Sequence, residues 1–380
     1  MATTKDRPPN AHSQAREAQR WLPIALMIVI LGPLAACSGP APAPTATAPP
    51  LASELVFYDW AEDMPQSILE AFTAEYGVKV SYLTYQSQEE ALENMRSSQV
   101  YDMAVIENEY IPPLVAEGRL AEIDFRNVPN FKNVSANFRD LAFDPSNRHT
   151  VPYHFGTTGL LVRTDLVKEP VTRWADLWDP RYAGKIALRT QMRDIIGFTL
   201  MSLGYSFNSE SPQELEEVRE RLLALQPSVF FVEVEAASAV PRLLSGEAVI
   251  LVGWAEDIQV AQEQNQAVAY VLPQDAIALW GDNYVIPANS PHKYTAEMFI
   301  NFLLRPEMSA EIVNAKYYAN ANEAAHPFIN PEIRNDLVIF PAEADLKKAS
   351  FYLPLSPEAE QLYLDIWNSF IGAGVQEQTQ

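Results

Sequence analysis

The chain has 380 residues, of which 48% are apolar and 11% are aromatic. A chain of this length and composition can bury a substantial core, and we expect two domains or lobes. The formal net charge of −22 argues against nucleic acid as a partner, because phosphate groups would be repelled.

The N-terminal segment has the pattern of an export signal. Arg16 and Arg20 precede the apolar run WLPIALMIVILGPLAA, which is short for a membrane span. The run ends at Cys37, the single cysteine of the sequence, and Leu-Ala-Ala-Cys resembles the bacterial lipoprotein signal. We predict a signal peptide over residues 1–36 and lipidation of Cys37, which would anchor the protein to a membrane, in the periplasm or at the cell surface. The alternative is a signal anchor with an incidental cysteine.

Residues 37–52 are rich in proline and alanine and carry no charge. This composition predicts an extended tether between the lipid anchor and the folded part. After the tether, no segment of the sequence is long and apolar enough to suggest a membrane span.

From Glu54 the chain alternates between strand-like and helix-like segments. Strands are predicted at LVFYDW, VKVSYLTY, YDMAVIE, KIALRT and GEAVILVGW. Helices are predicted at PQSILEAFTAEYG, at EEALENMRSS and at SPQELEEVRERLLAL, where Ser211 is the expected cap. The segment AEMFINFLLRPEMSAEIVNA should break into two helices at Pro306. This alternation predicts an α/β fold with a mostly parallel sheet.

Aromatic and acidic residues follow several of the predicted strands. They are Trp60, Glu62 and Asp63; Glu107 and Glu109; Arg193 and Asp194, with Gln191 nearby; and Trp254, Glu256 and Asp257. Trp280 and Asp282 form a further pair in LWGDNYVIPANS. Open parallel sheets bind ligands beyond the carboxyl ends of their strands, so these residues predict a binding site at that edge. Aromatic faces beside carboxylates suit an organic cation.

The sequence offers little support for catalysis. The five histidines, His12, His149, His154, His292 and His326, form no HExxH pair or close metal cluster. The sequence has no GxSxG elbow, P-loop or GxGxxG motif. Paired carboxylates leave a glycosidase as an enzymatic alternative. We predict a binding protein without enzymatic activity, metal or cofactor.

From Glu54 to about Gly372, the chain resembles the spermidine/putrescine-binding proteins of bacterial polyamine ABC transporters. The resemblance is carried by FYDWAEDMPQSILEAFTAEYGVKVSYLTYQS, TRWADLWDPRYAGKIAL, SLGYS, LWGDNYVIPANS and INFLLRPE. It implies a type II periplasmic-binding-protein fold with a hinge between two lobes. Lobe 1 would comprise residues 53–155 and 281–326, and lobe 2 residues 156–280 and 327–380. The cleft would close around its ligand, and a monomeric receptor would deliver that ligand to the permease subunits.

The resemblance also implies which residues contact the ligand. Trp60, Glu62, Asp194, Trp254, Trp280, Asp282 and Tyr318 occupy positions that match the family's pattern, with Asp194 where the family usually has Glu. Three further candidates depart from that pattern: Gln191 replaces a usual Asp, and Asp63 and Glu109 replace frequent Tyr residues. Two interpretations remain open, a polyamine receptor for putrescine or spermidine, and a receptor of the same fold for another small organic solute, such as a cationic amine, an amino-acid derivative or a sugar.

Overall fold

The structure, a computed structural model, describes residues 48–189, 192–233, 239–255 and 257–372, without the side chains of 189 and 231–233. The described residues from Pro49 onward form one compact unit. The predicted signal peptide, Cys37, most of the tether and Gln191 lie outside the described residues.

Strands and helices alternate through the described residues. The strands are β1 (Glu54–Trp60), β2 (Lys79–Tyr85), β3 (Met103–Glu107), β4 (Thr150–Arg163), β5 (Ile186–Arg189), β6 (Val229–Glu233), β7 (Ile250–Trp254), β8 (Val268–Val271), β9 (Ile277–Val285), β10 (Ala319–Asn320) and β11 (Ala349–Phe351). The helices are α1 (Gln66–Tyr76), α2 (Gln88–Arg96), α3 (Ile111–Ala116), α4 (Met192–Ser202), α5 (Pro212–Leu225), α6 (Ala239–Ser245), α7 (Asp257–Gln264), α8 (Lys293–Leu303), α9 (Pro306–Lys316), α10 (Pro331–Arg334), α11 (Glu343–Leu346) and α12 (Pro357–Gly372).

Local signals in the sequence fix several helix ends. The Ser211 side chain accepts a hydrogen bond from the backbone N–H of Glu214, so the predicted cap of α5 is confirmed. Pro306 occupies the first turn of α9, after α8 has ended at Leu303, which confirms the predicted break. Proline is accepted there because the first turn of a helix needs no N–H donor.

The sheet has the order β2-β1-β3-β9-β4-β7-β5-β6. Strands β2, β1 and β3 are parallel, as are β6, β5 and β7. The central pairs β3–β9, β9–β4 and β4–β7 are antiparallel. The predicted α/β class is confirmed. Among the eight strands in this order, parallel pairing holds only within the two outer groups, because two long antiparallel strands join them in the middle; the short β11 also pairs in parallel with β9.

Those two strands connect two apolar cores. Val151 and Phe155 of β4 belong to a core that also contains Phe72 and Phe299, whereas Leu160 further along the same strand belongs to a second core. The second core is built around aromatic residues such as Trp174, Phe198, Phe207 and Tyr363. All residues of β4 are buried. The chain therefore crosses between two halves within single strands.

The first core extends past the predicted lobe boundary at 326/327. Ile329, Ile333 and Ile339 pack with it, although the sequence prediction assigned residues 327–380 to lobe 2. Tyr352, Tyr363 and Phe370 belong to the second core. Within the described part of the chain, none of the helices combines the length and apolarity required to cross a membrane.

Candidate functional site

A cavity of about 170 Å³ lies where the two halves meet on the central strands. Its walls combine tryptophan and tyrosine rings with four carboxylates and one imidazole. The lining residues are Trp60, Asp63, Glu107, His154, Asp194, Trp254, Trp280, Asp282, Tyr318 and Tyr352. Trp60, Glu107 and Trp254 are the last residues of β1, β3 and β7. The cavity therefore lies at the carboxyl ends of these strands, the edge at which the sequence pattern predicts a binding site.

Trp280 owes its position to a glycine on the neighbouring strand. Gly156 of β4 is paired with Trp280 of β9. A Cβ atom at residue 156 would lie only 2.0 Å from Cζ2 of Trp280. The indole ring therefore lies directly over the backbone of β4, which only a residue without a side chain permits.

A β-bulge in β4 places an imidazole opposite a carboxylate. Pro152 pairs with Asn283 and Phe155 pairs with Gly281, so Tyr153 and His154 together oppose Asp282. Such a bulge turns a side chain that regular pairing would direct elsewhere. His154 Nδ1 lies 3.7 Å from Asp282 Oδ2, and its Nε2 lies 3.4 Å from Asp63 Oδ2.

The two carboxylates beside His154 differ in their ionisation. Burial raises the pKa of Asp63, but the His154 charge and hydrogen bonds from His154 and Tyr318 outweigh burial, so its pKa is lowered. Burial also raises the pKa of Asp282, and here repulsion by Asp63 adds to burial while His154 only partly offsets it, giving a pKa of about 6. The ring of Trp60 donates from Nε1 to Asp282 Oδ1 over 3.3 Å.

On the opposite wall, Asp194 is held by hydroxyl groups. Thr158 donates to Asp194 Oδ1 over 3.1 Å, and the Tyr352 hydroxyl donates to the same oxygen. Burial raises the pKa of Asp194, and these hydrogen bonds act in the opposite direction. Asp194 lies in the first turn of α4, where the helix dipole favours negative charge.

Glu107 and Glu109 face different surroundings, because β3 ends at Glu107 and a 3₁₀ turn, Asn108–Tyr110, follows. Glu107 lines the cavity, and its pKa is raised well above the usual range by burial and by the charge of Glu109. Glu109 is 8% exposed and does not line the cavity. Burial raises its pKa to about 7, although the nearby Arg193 charge opposes the increase.

The structure brings most of the predicted ligand contacts together. Trp60, Asp63, Asp194, Trp254, Trp280, Asp282 and Tyr318 all line the cavity. Glu62 and Glu109 do not, and Glu62 is exposed, with its carbonyl oxygen accepting a hydrogen bond from Lys316. Gln191 is outside the described residues. The role of each residue in binding a ligand stays a prediction.

Sequence reasoning did not select two of the lining residues, His154 and Tyr352. It named Glu107 and Glu109 together as strand-end candidates but carried only Glu109 forward as a ligand contact, whereas Glu107, the last residue of β3, is the one that lines the cavity. The available signal for His154 was that a histidine stands alone within the largely apolar run VPYHFGTTGL. Tyr352 gave no local signal, because it reaches Asp194 from a distant part of the chain.

The cavity has the chemistry of a cation-binding site. None of its lining residues is lysine or arginine, and four are carboxylates. Within the parts of the chain that the structure describes, no group of three or more His, Cys, Asp or Glu residues is placed to hold a metal ion. Fold and site together define a two-lobed binding protein with an acidic, aromatic cleft.

Comparisons with known proteins agree with this class. The family model for bacterial extracellular solute-binding proteins matches residues 67–340. The spermidine/putrescine-binding periplasmic protein of Escherichia coli is 33% identical over 300 residues, covering 78% of this chain and 86% of the relative. The putrescine-binding periplasmic protein SpuD of Pseudomonas aeruginosa is 28% identical over 330 residues, covering 82% and 89%.

A solved structure supports the same assignment. The spermidine/putrescine ABC transporter substrate-binding protein PotD of Streptococcus pneumoniae, in complex with calcium and HEPES, has a TM-score of 0.78 and 29% identity, covering 84% of this chain and 98% of that one. The chain belongs to the bacterial extracellular solute-binding protein family. The predicted resemblance to polyamine-binding relatives and the two-lobed fold are confirmed.

Proposed function

We propose that the protein captures a polyamine, putrescine or spermidine, in the cavity between its lobes and delivers it to the permease subunits of an ABC importer. The observation that carries this proposal is the lining of the cavity by four carboxylates and three tryptophans, with no basic residue except His154. Binding and release require no chemical step, so we infer that the protein is not an enzyme.

The physics of a polyamine fits this lining. Each ammonium group that leaves water needs a carboxylate and hydrogen-bond acceptors, because an unpaired buried charge is prohibitively costly. The methylene segments between the ammonium groups can pack on the faces of Trp60, Trp254 and Trp280. A cation over an aromatic face contributes a further 0.5–2 kcal/mol, roughly.

The alternative, a receptor for a zwitterionic or neutral solute, fits less well. An amino-acid derivative would place its carboxylate among Asp63, Glu107, Asp194 and Asp282, with no lysine or arginine in the lining to receive it. A neutral sugar would leave buried carboxylates without counterions. Of the solutes considered, a small organic cation is therefore favoured over an acid or a sugar.

We propose that the lobes follow the two apolar cores. Residues 53–155 and 281–340 would form lobe 1, and residues 156–280 would form most of lobe 2. Ile329, Ile333 and Ile339 pack with the first core. We therefore place the last passage of the chain from lobe 1 to lobe 2 between residues 340 and 352, and not at residue 326/327 as the sequence predicts. The hinge would then consist of β4, β9 and that segment.

We further propose that the exported protein is a monomer held at the membrane by a lipid on Cys37. A Cys37→Ser variant expressed in bacteria that are fed labelled palmitate should incorporate no label, whereas the unaltered protein should be labelled and fractionate with membranes. Equal labelling of both proteins would contradict the anchor.

The ligand is tested by calorimetric titration of the protein from residue 49 onward with putrescine, spermidine and spermine. We expect a dissociation constant of about 1 µM or lower for at least one of them. An Asp282→Asn variant should bind that ligand about 30-fold more weakly, since the cavity loses one of its four negative charges. Asp365→Asn, at an exposed position on α12, should bind normally. Flat traces with all three polyamines would overturn the proposed ligand.

A further inference from the structure

His154 is a lining residue of the cavity that the proposed function does not yet explain. Its side chain is 5% exposed and faces two carboxylates, Asp63 and Asp282. The bulge in β4 directs it there, opposite Asp282. A buried imidazole between two carboxylates has the environment of a cation.

Each oxygen of these two carboxylates already faces a group of the protein. Asp63 Oδ1 accepts a hydrogen bond from the Tyr318 hydroxyl over 2.6 Å, and its Oδ2 faces His154. Asp282 Oδ1 accepts from Trp60, and its Oδ2 faces His154. The pair Asp63 and Asp282 is thus partly neutralised by a group of the protein itself.

Aromatic rings hold the imidazole in this position. Its centroid lies 4.2 Å from the ring of Tyr318 at 31°, and 4.2 Å from the ring of Tyr153 at 71°. Trp280 packs edge to face at 5.7 Å. Because these contacts surround the ring, an arriving ligand would have to bind beside His154 instead of moving it aside.

The other charged groups near this cluster are acidic with the exception of Arg193, whose charge opposes the raised pKa of Asp194. Asp59, fully buried at the end of β1, repels the charges of both Asp63 and Asp282. Glu107 at the end of β3 and Asp194 in α4 line the same cavity. The carboxylates on β1, β3 and α4 therefore favour, when ionised, a positive charge on His154.

Counting charges leaves two carboxylates for a ligand. Of the four in the lining, Asp63 and Asp282 face His154. Glu107 and Asp194 form no ion pair with any residue that the structure describes. These two carboxylates have no ion-pair partner in the empty cavity, and a bound ammonium group beside each would keep it ionised against burial, so they match a ligand with two ammonium groups. A third ammonium group would have to share a carboxylate with the imidazolium.

We propose that His154 is a specificity-determining residue whose imidazolium serves as a built-in cation of the cleft, so that the cleft prefers a ligand with two ammonium groups to one with three. This proposal rests on the proposed function, since it concerns the choice among polyamines. It also has a pH dependence with a defined sign. When His154 loses its proton, Asp63 and Asp282 become available to a third ammonium group, so the preference for the diamine decreases as the pH rises.

The test compares putrescine with spermidine by calorimetry on the full-length protein in detergent, at about pH 6 and about pH 8.5, on either side of the ordinary imidazole pKa. We expect putrescine to bind about tenfold more tightly than spermidine at the lower pH. The ratio of the spermidine to the putrescine dissociation constant should fall at least about threefold at the higher pH. His154→Gln should bring the ratio close to one at both pH values. His326→Gln, at an exposed position, serves as the matched control and should behave like the unaltered protein.

The outcomes separate the two proposals. If the His154→Gln variant and the unaltered protein bind with the same ratio and the same pH dependence, or if spermidine is preferred at the lower pH, the role of His154 is wrong while the polyamine receptor stands. If no polyamine binds to any of these proteins, the proposed function fails and the role of His154 fails with it.

A second measurement does not depend on a folded variant. Nitrogen chemical shifts of the His154 ring in the unaltered protein should indicate imidazolium at about pH 6, both in the empty protein and with putrescine bound. A neutral ring in the putrescine complex at this pH would overturn the proposal.

Discussion

On one wall of the cleft, Asp63 and Asp282 face the ring of His154, and we call these three residues the histidine side. On the other wall, Asp194 accepts hydrogen bonds from Thr158 and Tyr352, and we call these three the hydroxyl side. Both walls bury carboxylates. With His154 in its proposed imidazolium form, the histidine side balances part of this charge with a positive charge of its own, whereas the hydrogen bonds to Asp194 on the hydroxyl side come from neutral donors.

The difference matters for a cationic ligand. Neutral donors compensate part of the desolvation of a buried carboxylate but leave its net charge unchanged. An internal ion pair removes that net charge and reduces the attraction for an arriving cation. The hydroxyl side should therefore contribute more to the binding energy, and the histidine side more to the choice of ligand. Substitutions on each side of the cleft and a titration of the empty protein test this difference.

Asp194→Asn should have the largest effect. The variant removes the net charge of the hydroxyl side, while the amide oxygen can still accept from Thr158 and Tyr352, so folding should persist. Loss of a buried charge partner costs about 2–5 kcal/mol, and we expect binding to weaken about 100-fold or more. Calorimetry with putrescine measures this change, and circular dichroism checks the fold. A weakening of less than about threefold would mean that the two walls do not differ as described.

Gly156→Ala should disturb the aromatic lining without altering any charge. The new methyl group would meet Cζ2 of Trp280 at 2.0 Å, so the indole ring must move out of its place. Overpacking of this kind costs about 1–3 kcal/mol of stability, and we expect about tenfold weaker binding. Thermal unfolding and calorimetry measure the two effects. Gly372→Ala is the matched control, because no atom lies within 4 Å of a Cβ there. Unchanged binding by Gly156→Ala would argue that Trp280 does not contact the ligand.

Tyr352→Phe should sharpen the account of the hydroxyl side. The variant removes one donor to Asp194, so the pKa of this carboxyl, already raised by burial, should rise further. We expect binding to weaken about fivefold near neutral pH, corresponding to one lost hydrogen bond to a charged group, and to weaken more in acid, where Asp194 takes up a proton. Calorimetry at several pH values measures this. The Tyr363→Phe variant, in the second core, should leave binding unchanged. If Tyr352→Phe weakened binding by the same factor at every pH, the loss would not come from a change in the ionisation of Asp194.

The smallest effect concerns the empty protein. Burial and acidic neighbours raise the pKa of Glu109 to about 7 and burial raises that of Asp282 to about 6, above the usual unfolded values near 4. At pH values between the pKa of the unfolded state and that of the folded state, the folded protein binds more protons than the unfolded chain. These groups therefore make the protein less stable as the pH rises from about 5 to about 7.5.

Comparison with Glu109→Gln isolates this contribution. The melting temperature of the unaltered protein minus that of Glu109→Gln should fall by a few degrees across that pH interval. A bound polyamine requires charged carboxylates, so its stabilising effect should change in the opposite direction and increase with pH. A difference that is constant with pH would show that Glu109 is ionised throughout.

Sequence reasoning recovered the parts that depend on local patterns. Hydrophobic periodicity predicted the strands β1, β2 and β3 and the helices α1, α2 and α5. Ser211 and Pro306 each mark the start of a helix, which depends only on residues within one helical turn. Strand ends and the resemblance to polyamine-binding proteins also marked eight of the ten cavity residues, seven of them as ligand contacts. Strand β4 was not predicted, because it is buried along its whole length and so lacks the alternation of a half-exposed strand.

The sequence alone determined an α/β fold of two halves, an acidic surface, and a cluster of tryptophans and carboxylates at strand ends. The hydrophobic period, the turn residues and the charge are properties of short segments, so they can be read from the sequence without knowing which distant segments are in contact. Only the tertiary structure decided that Glu107, not Glu109, faces the cavity, that Tyr352 reaches Asp194, and that a bulge turns His154 toward Asp63 and Asp282. These choices depend on strand register and on contacts between segments far apart in the chain, where a shift of one residue reverses the direction of a side chain.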